Sequence, residues 1–256
     1  MAEINGKTLA LEVHGDGTPL VMVHGLGGTS NAFYPQAALF TRWFKLIRLD
    51  LEGSGRSAVK GKPTIESFVD DVIAAMDSVG ANEAHFVGHS MGTIICQHIA
   101  AKHAKRVKSL ALLGPLAEPP EPARAAIRAR AETARKDGMT GIADTLVNVG
   151  TSAETKTHRP ATAAFVREIL MRQSAEGYAA TCEALAAAKA ADATKITCPT
   201  LLITGDEDAT SPPPAVQRLA QSIKGSKMIV LNGCGHWTPI EKPAEVNAAL
   251  VNFYFG

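Results

Sequence analysis

A serine with a glycine two residues to either side, Gly88-His89-Ser90-Met91-Gly92, is the segment of this chain best suited to chemistry. An apolar run, Ala84-His85-Phe86-Val87, precedes it, and an apolar-periodic run from Thr93 to Ala100 follows it. That is G-x-S-x-G at a strand-to-helix turn, the setting in which the motif has mechanical meaning. The turn strains the serine backbone and lifts the hydroxyl clear of the sheet, and a Cβ at either flanking position would meet the neighbouring strand or helix. A serine hydroxyl is a weak nucleophile at neutral pH, so it needs a base, and the base needs an orienting acid. Among eight histidines, His236 alone follows a late strand, Met228 to Leu231. His24 and His89 belong to the glycine motifs, and His98 and His103 sit on the helix after the serine. Asp208, after the apolar run Thr200 to Thr204, is the candidate acid. Asp206 is its rival, but it follows Gly205 immediately, where a side chain is still close to the strand axis.

Acyl chemistry also needs donors for the oxyanion of a tetrahedral intermediate, each worth roughly 3 to 4 kcal/mol of barrier. The Met91 amide, at the start of a helix, is one candidate. The Leu26 amide, in the loop His24-Gly25-Leu26-Gly27-Gly28 after an early strand, is the other. Trp237, Tyr178 and Phe33 are candidates for the substrate pocket, with simple core packing as the alternative for each. Four cysteines lie far apart with no C-x-x-C pair, which argues against a zinc or redox motif. Cys234, close to His236, reads as a small residue filling a tight turn. Asp50 to Ser57, with its two glycines, reads as a structural turn.

The elements that must position these residues alternate in type. Strands are expected at Lys7–Val13, Pro19–Val23, Phe44–Leu49, Phe86–Val87, Val107–Leu113, Thr200–Thr204 and Met228–Leu231. Helices are expected at Ile65–Val79, after Ser90, after a Ser211 cap and from Pro243. Such alternation builds a mostly parallel sheet covered on both faces. Between Leu116 and Thr194 no strand is convincing, and helical stretches are expected near 123–136, 141–149, 161–173 and 178–190. The expected organisation is therefore a core of residues 1–114 and 195–256 with an all-helical cap, 115–194. That cap has ten basic and ten acidic residues, so its bulk charge names no anionic substrate.

The chain of 256 residues is 46% hydrophobic and 20% charged, an ordinary globular composition. A net charge of +1 offers no footprint for nucleic acid or an anionic membrane. No apolar run approaches the roughly 20 residues that span a bilayer, and no basic-then-apolar segment opens the chain, so a cytoplasmic location is expected. Nothing in the sequence calls for a cofactor or a metal. The oligomeric state stays open, a homo-oligomer included.

With these residues in place, the chain resembles the α/β-hydrolase superfamily along essentially its whole length. The matching motifs are H-G-L-G-G at 24–28, D-L-E-G-S-G-R-S at 50–57, G-H-S-M-G at 88–92, G-D-E-D-A-T-S-P at 205–212 and G-C-G-H-W at 233–237. The segment Glu176 to Leu185 looks like that of 3-oxoadipate enol-lactonases and their carboxylesterase relatives. Glu52 stands where many relatives carry proline. The resemblance implies an α/β-hydrolase fold and a serine hydrolase that cleaves a small carboxylic ester or lactone through an acyl-enzyme. Ser90, Asp208 and His236 would form the triad, in the chain order the fold uses. A C–C bond hydrolase, a cofactor-free perhydrolase or haloperoxidase, and a non-catalytic ligand receptor on the same fold are the alternatives. Epoxide hydrolases and haloalkane dehalogenases use an aspartate at the position of Ser90 and are disfavoured.

Overall fold

Asn5 and Gly6, both with positive φ, turn strand β1 (Ala2–Ile4) back onto β2 (Lys7–Leu9) in the computed structural model, making a short antiparallel hairpin outside the main sheet. The run Lys7–Val13, expected as one strand, is thus two. It breaks at Ala10, whose amide donates to Ser57 Oγ and whose carbonyl accepts from Asp50 N, so β3 (Leu11–His14) starts afresh in the main sheet.

The other strands are β4 (Thr18–Val23), β5 (Phe44–Leu49), β6 (Ala84–His89), β7 (Val107–Leu113), β8 (Thr200–Gly205) and β9 (Lys227–Leu231). Seven strands pair in the order β3-β5-β4-β6-β7-β8-β9, and only β3, against β5, is antiparallel. Their side chains alternate between two cores. Val21 and Val23 of β4, Phe86 of β6, and Leu110 and Leu112 of β7 face one core, while Leu20, Met22, Val87, Ala111 and Leu113 face the other. Both faces are therefore dry, which is why these strands read as continuous apolar runs.

Helices α1 (Tyr34–Phe40), α2 (Ile65–Ser78), α3 (Met91–Lys102), α9 (Pro213–Ser222) and α11 (Pro243–Phe255) cover the sheet. Five more, α4 (Glu121–Asp137), α5 (Thr140–Gly150), α6 (Ala153–His158), α7 (Pro160–Met171) and α8 (Ala175–Ala187), lie between β7 and β8 with no strand among them. The single turn α10 (Thr238–Glu241) precedes α11. Helix α8 begins three residues before its expected start because Ser174 caps it, its side chain accepting from Gly177 N. No helix is long and apolar enough to cross a membrane.

The topology places the site. From β4 the sheet grows one way through β5 and the other way through β6. That reversal opens a crevice at the carboxyl ends of β4 and β6, where open α/β sheets bind ligands. The loops after β4, β6, β7, β8 and β9 all leave from this edge.

Candidate active site

Ser90 sits between β6 and α3 with φ 52° and ψ −121°, one of two non-glycine residues with positive φ. Such a conformation costs about 1–3 kcal/mol and persists only when its surroundings over-determine it. Here Ser90 N donates to Leu113 O at 2.9 Å, and Ser90 O accepts from Thr93 N at 2.8 Å and Thr93 Oγ1 at 2.6 Å. The packing leaves no room for side chains nearby. A Cβ on Gly92 would lie 2.1 Å from Val23 O, and one on Gly25 would lie 2.6 Å from Ser90 Cβ.

His236 Nε2 lies 2.8 Å from Ser90 Oγ, and His236 Nδ1 lies 2.9 and 3.0 Å from the two oxygens of Asp208. Nδ1–H donates to the carboxylate, which leaves Nε2 to accept the serine hydroxyl proton. Asp208 Oδ1 also accepts from Ser211 N (2.7 Å) and Thr210 N (2.9 Å), and Thr204 Oγ1, which donates to Ser211 O at 2.6 Å, lies 3.4 Å from Oδ2. Burial pushes this carboxyl up, but the His236 charge and the converging donors outweigh burial and hold it below its usual range. Burial likewise pulls the His236 imidazole down, while the charge and hydrogen bond of Asp208 raise it further, for a net value above the ordinary one. Asp206 is exposed and accepts from Cys234 N instead. Ser211, expected to cap α9, does not: Pro212 holds the cap position, because the chain from Asp208 to Ser211 wraps back around the carboxylate. Burial keeps the Cys234 thiol protonated, so it is no rival to the serine.

Two buried groups that sequence reasoning missed fix the His236 loop. Glu241 is fully buried with no cation paired to it. Its Oε2 accepts from Ser152 N (2.8 Å), Thr155 Oγ1 (2.8 Å) and Gly235 N (3.2 Å), and its Oε1 accepts from Trp237 N (3.1 Å). His236 N donates to Gly150 O at 2.8 Å. The imidazole is thus tied through its own backbone to the α5–α6 junction. His89, buried and depressed to about 3, is neutral, and its Nε2–H donates to His236 O at 2.9 Å. A lone acid before Lys242-Pro243 gives no sequence signal for this task.

Leu26 and Met91 flank the serine. Met91 is the first residue of α3, so its amide has no partner within the helix. His24 aims the Leu26 loop. Its Nε2 accepts from Leu51 N at 3.0 Å, so the proton sits on Nδ1 and donates to Gly25 O at 2.8 Å. Gly28 N donates to the same oxygen at 3.0 Å, closing the turn around Leu26.

A cavity of about 310 Å³ opens over Ser90 and His236 and is bounded by the helices between β7 and β8. Leu26, Tyr178 and Trp237 line it. Phe33 does not, a correction to the expectation that groups it with them. Its ring is fully buried in the core beneath α1, among the residues that pack β4 and β6.

Residues 18–243 match the alpha/beta hydrolase fold family. Over 251 residues the chain is 29% identical to the (E)-2-((N-methylformamido)methylene)succinate hydrolase of Acinetobacter baylyi, covering 96% of this chain and 94% of that one. The structure superposes on the enol-lactonase of Burkholderia xenovorans with a TM-score of 0.94 at 31% identity, covering 100% and 99% of the two chains. It superposes on a thermophilic esterase of Thermogutta terrifontis with a TM-score of 0.90 at 30% identity, covering 96% and 92%.

Proposed function

This chain belongs to the α/β-hydrolase family and is a hydrolase, and from that premise we propose that it is a serine hydrolase cleaving a small carboxylic ester or lactone through an acyl-enzyme. One observation carries the reading: Ser90, on a strained turn, lies in line with His236 and Asp208 at 2.8 and 2.9 Å.

In this reaction Ser90 Oγ attacks the carbonyl carbon as His236 Nε2 takes the hydroxyl proton. The carbonyl oxygen becomes an oxyanion held by the Leu26 and Met91 amides, whose dipoles need no reorientation as charge develops. Asp208 stabilises the imidazolium and keeps its tautomer. The intermediate collapses, the C–O bond to the alcohol breaks, and His236 returns its proton to the departing oxygen. In a lactone that alcohol stays tethered to the acyl group. Water then attacks the acyl-enzyme with His236 again as base, releasing the acid and restoring Ser90.

A cavity of about 310 Å³ favours a small substrate. The test is a screen of 4-nitrophenyl esters of rising acyl length beside a set of lactones, with Ser90→Ala as the control. Short acyl chains or small lactones turn over, and Ser90→Ala loses essentially all turnover with its fold intact. Retention of more than a few per cent overturns the reading, as does faster cleavage of a vinylogous diketone than of any ester.

A further inference from the structure

The Leu26 amide stands at the end of a row of hydrogen-bonded amide groups. Leu26 N–H shares its peptide unit with Gly25 C=O, and that oxygen accepts from Gly28 N at 3.0 Å. Gly28 N–H shares its unit with Gly27 C=O, and that oxygen accepts from Gln173 Nε2 at 3.2 Å. Gln173 Oε1 accepts in turn from Gly55 N at 3.1 Å. Gly55 N–H shares its unit with Ser54 C=O, which accepts from Ser57 N at 2.9 Å. No peptide here is cis, so in each unit N–H and C=O point opposite ways. The amide dipoles therefore run head to tail from the turn after β5 to Leu26 N–H, and Gln173 is the side-chain link in that row.

Gln173 is buried just past the end of α7 and commits its whole carboxamide to this junction. Its Nε2 also donates to Ile169 O at 3.0 Å and reaches Gly28 O at 3.3 Å. The partners fix which end is which: carbonyl oxygens need the NH₂, and Gly55 N–H needs the oxygen. One side chain thus joins α7, the loop after β4 and the turn after β5. Leu170 closes on the same loop, where a Cβ on Gly27 would stand 2.6 Å from Leu170 Cδ2. Gln173 is not among the residues that line the cavity over Ser90, so it acts on that site only through the loop.

Hydrogen bonds in series polarise one another, and the effect is larger where water is excluded. An oxyanion donor also works only if it is aimed before charge develops. We propose that Gln173 is a positioning residue for the oxyanion hole: it holds the Gly27–Gly28 peptide unit and, through Gly25 C=O, sets the direction and donor strength of Leu26 N–H. The proposal rests on the hydrolase reading above. It adds to that reaction a residue from the insertion between β7 and β8 that has no contact with substrate, and it gives the turn from Asp50 to Ser57 a part in the site as the far anchor of the row.

The test pairs 4-nitrophenyl acetate hydrolysis with inhibition by a small trifluoromethyl ketone, 1,1,1-trifluoro-2-butanone. Ser90 Oγ adds to the ketone carbon, the hydroxyl proton passes to His236 Nε2, and the former carbonyl oxygen becomes an oxyanion facing the amides. Gln173→Met keeps the volume and removes every hydrogen bond of the carboxamide, while Gln173→Glu keeps the bond from Gly55 N and sets an acceptor against the carbonyls. Each variant should lower kcat at least about tenfold with KM within about twofold of native, and should raise the ketone Ki by the factor that kcat/KM falls. The pH midpoint of kcat/KM should stay in place, because His236 and Asp208 keep their partners. Native kcat in both variants, a rise in KM or a moved midpoint instead of a fall in kcat, an unchanged Ki, or loss of fold in both overturns the positioning role and leaves the serine-hydrolase reading intact. If the native protein turns over no ester, that reading fails, and amide hydrogen exchange of residues 24–33 decides the positioning alone. Exchange at least about tenfold faster in Gln173→Met, with the sheet unchanged, supports it, and exchange at the native rate overturns it.

Discussion

Asp208→Asn separates the orienting role of this residue from its role in folding. The two backbone donors, Ser211 N at 2.7 Å and Thr210 N at 2.9 Å, both reach Oδ1. An asparagine therefore keeps its oxygen there and puts its NH₂ at the Oδ2 position, facing His236 Nδ1 and Thr204 Oγ1. Thr204 already donates to Ser211 O at 2.6 Å and has lone pairs free to accept. The amide is thus fully satisfied and the fold survives. The imidazole is not so fortunate: Nδ1 must now accept, its proton moves to Nε2, and Nε2–H points at Ser90 Oγ. The base can no longer take the serine proton. The expected loss is about 10⁴-fold in kcat, or ~5.5 kcal/mol of barrier. The pH profile gives an independent sign. In the native enzyme the imidazole must be neutral to act, so kcat/KM rises with pH through a midpoint above the ordinary histidine value of about 6.5. Asp208→Asn removes the larger raising influences and leaves burial opposed only by the Glu241 charge, so the residual limb moves to lower pH. Steady-state hydrolysis of 4-nitrophenyl acetate from pH 5 to 9, with circular dichroism melts, checks both. A variant that keeps more than about a tenth of its activity, or whose limb stays in place, refutes the tautomer argument.

Other expectations follow from the same geometry. Gly25→Ala places a methyl 2.6 Å from Ser90 Cβ and 2.9 Å from His89 O, so the serine or the Leu26 loop must shift. A fall of about 100-fold in kcat is expected, and native-like turnover of 4-nitrophenyl acetate would contradict it. Glu241→Gln turns one of two buried acceptor oxygens into a donor, best placed facing Trp237 N. A loss of about 1–3 kcal/mol in urea unfolding is expected, with a midpoint unchanged from native as the contrary result. Cys234→Ala removes a buried thiol that takes no part in proton transfer, so turnover should stay within about twofold of native at modest cost in stability. Tenfold loss with an unchanged melt would implicate the thiol.

The strands that carry the site are legible because two dry faces leave an apolar run, and Gly25 just after β4, with Gly88 and Gly205 in the last residues of β6 and β8, marks where each run ends. The order of Ser90, Asp208 and His236 along the chain is legible for the same reason. Short elements are not: α6 and α10 span six and four residues, too few for helical periodicity to register. Glu241 is invisible locally because Ser152 and Thr155, which donate to its carboxylate, lie far away in sequence. Phe33 shows the limit of reading an aromatic beside a glycine loop. Its aromatic type suits pocket and core alike, and only the fold says that it is buried in the core rather than the cavity.

The central claim is that Ser90 becomes acylated. Intact-protein mass spectrometry after rapid quenching of the enzyme with a slow 4-nitrophenyl ester measures this directly. The expected result is a single acyl adduct that maps to the peptide containing Ser90, decays as free acid appears, and is absent in Ser90→Ala. Turnover in Ser90→Ala, or an adduct on any other residue that decays at the rate of turnover, would contradict it.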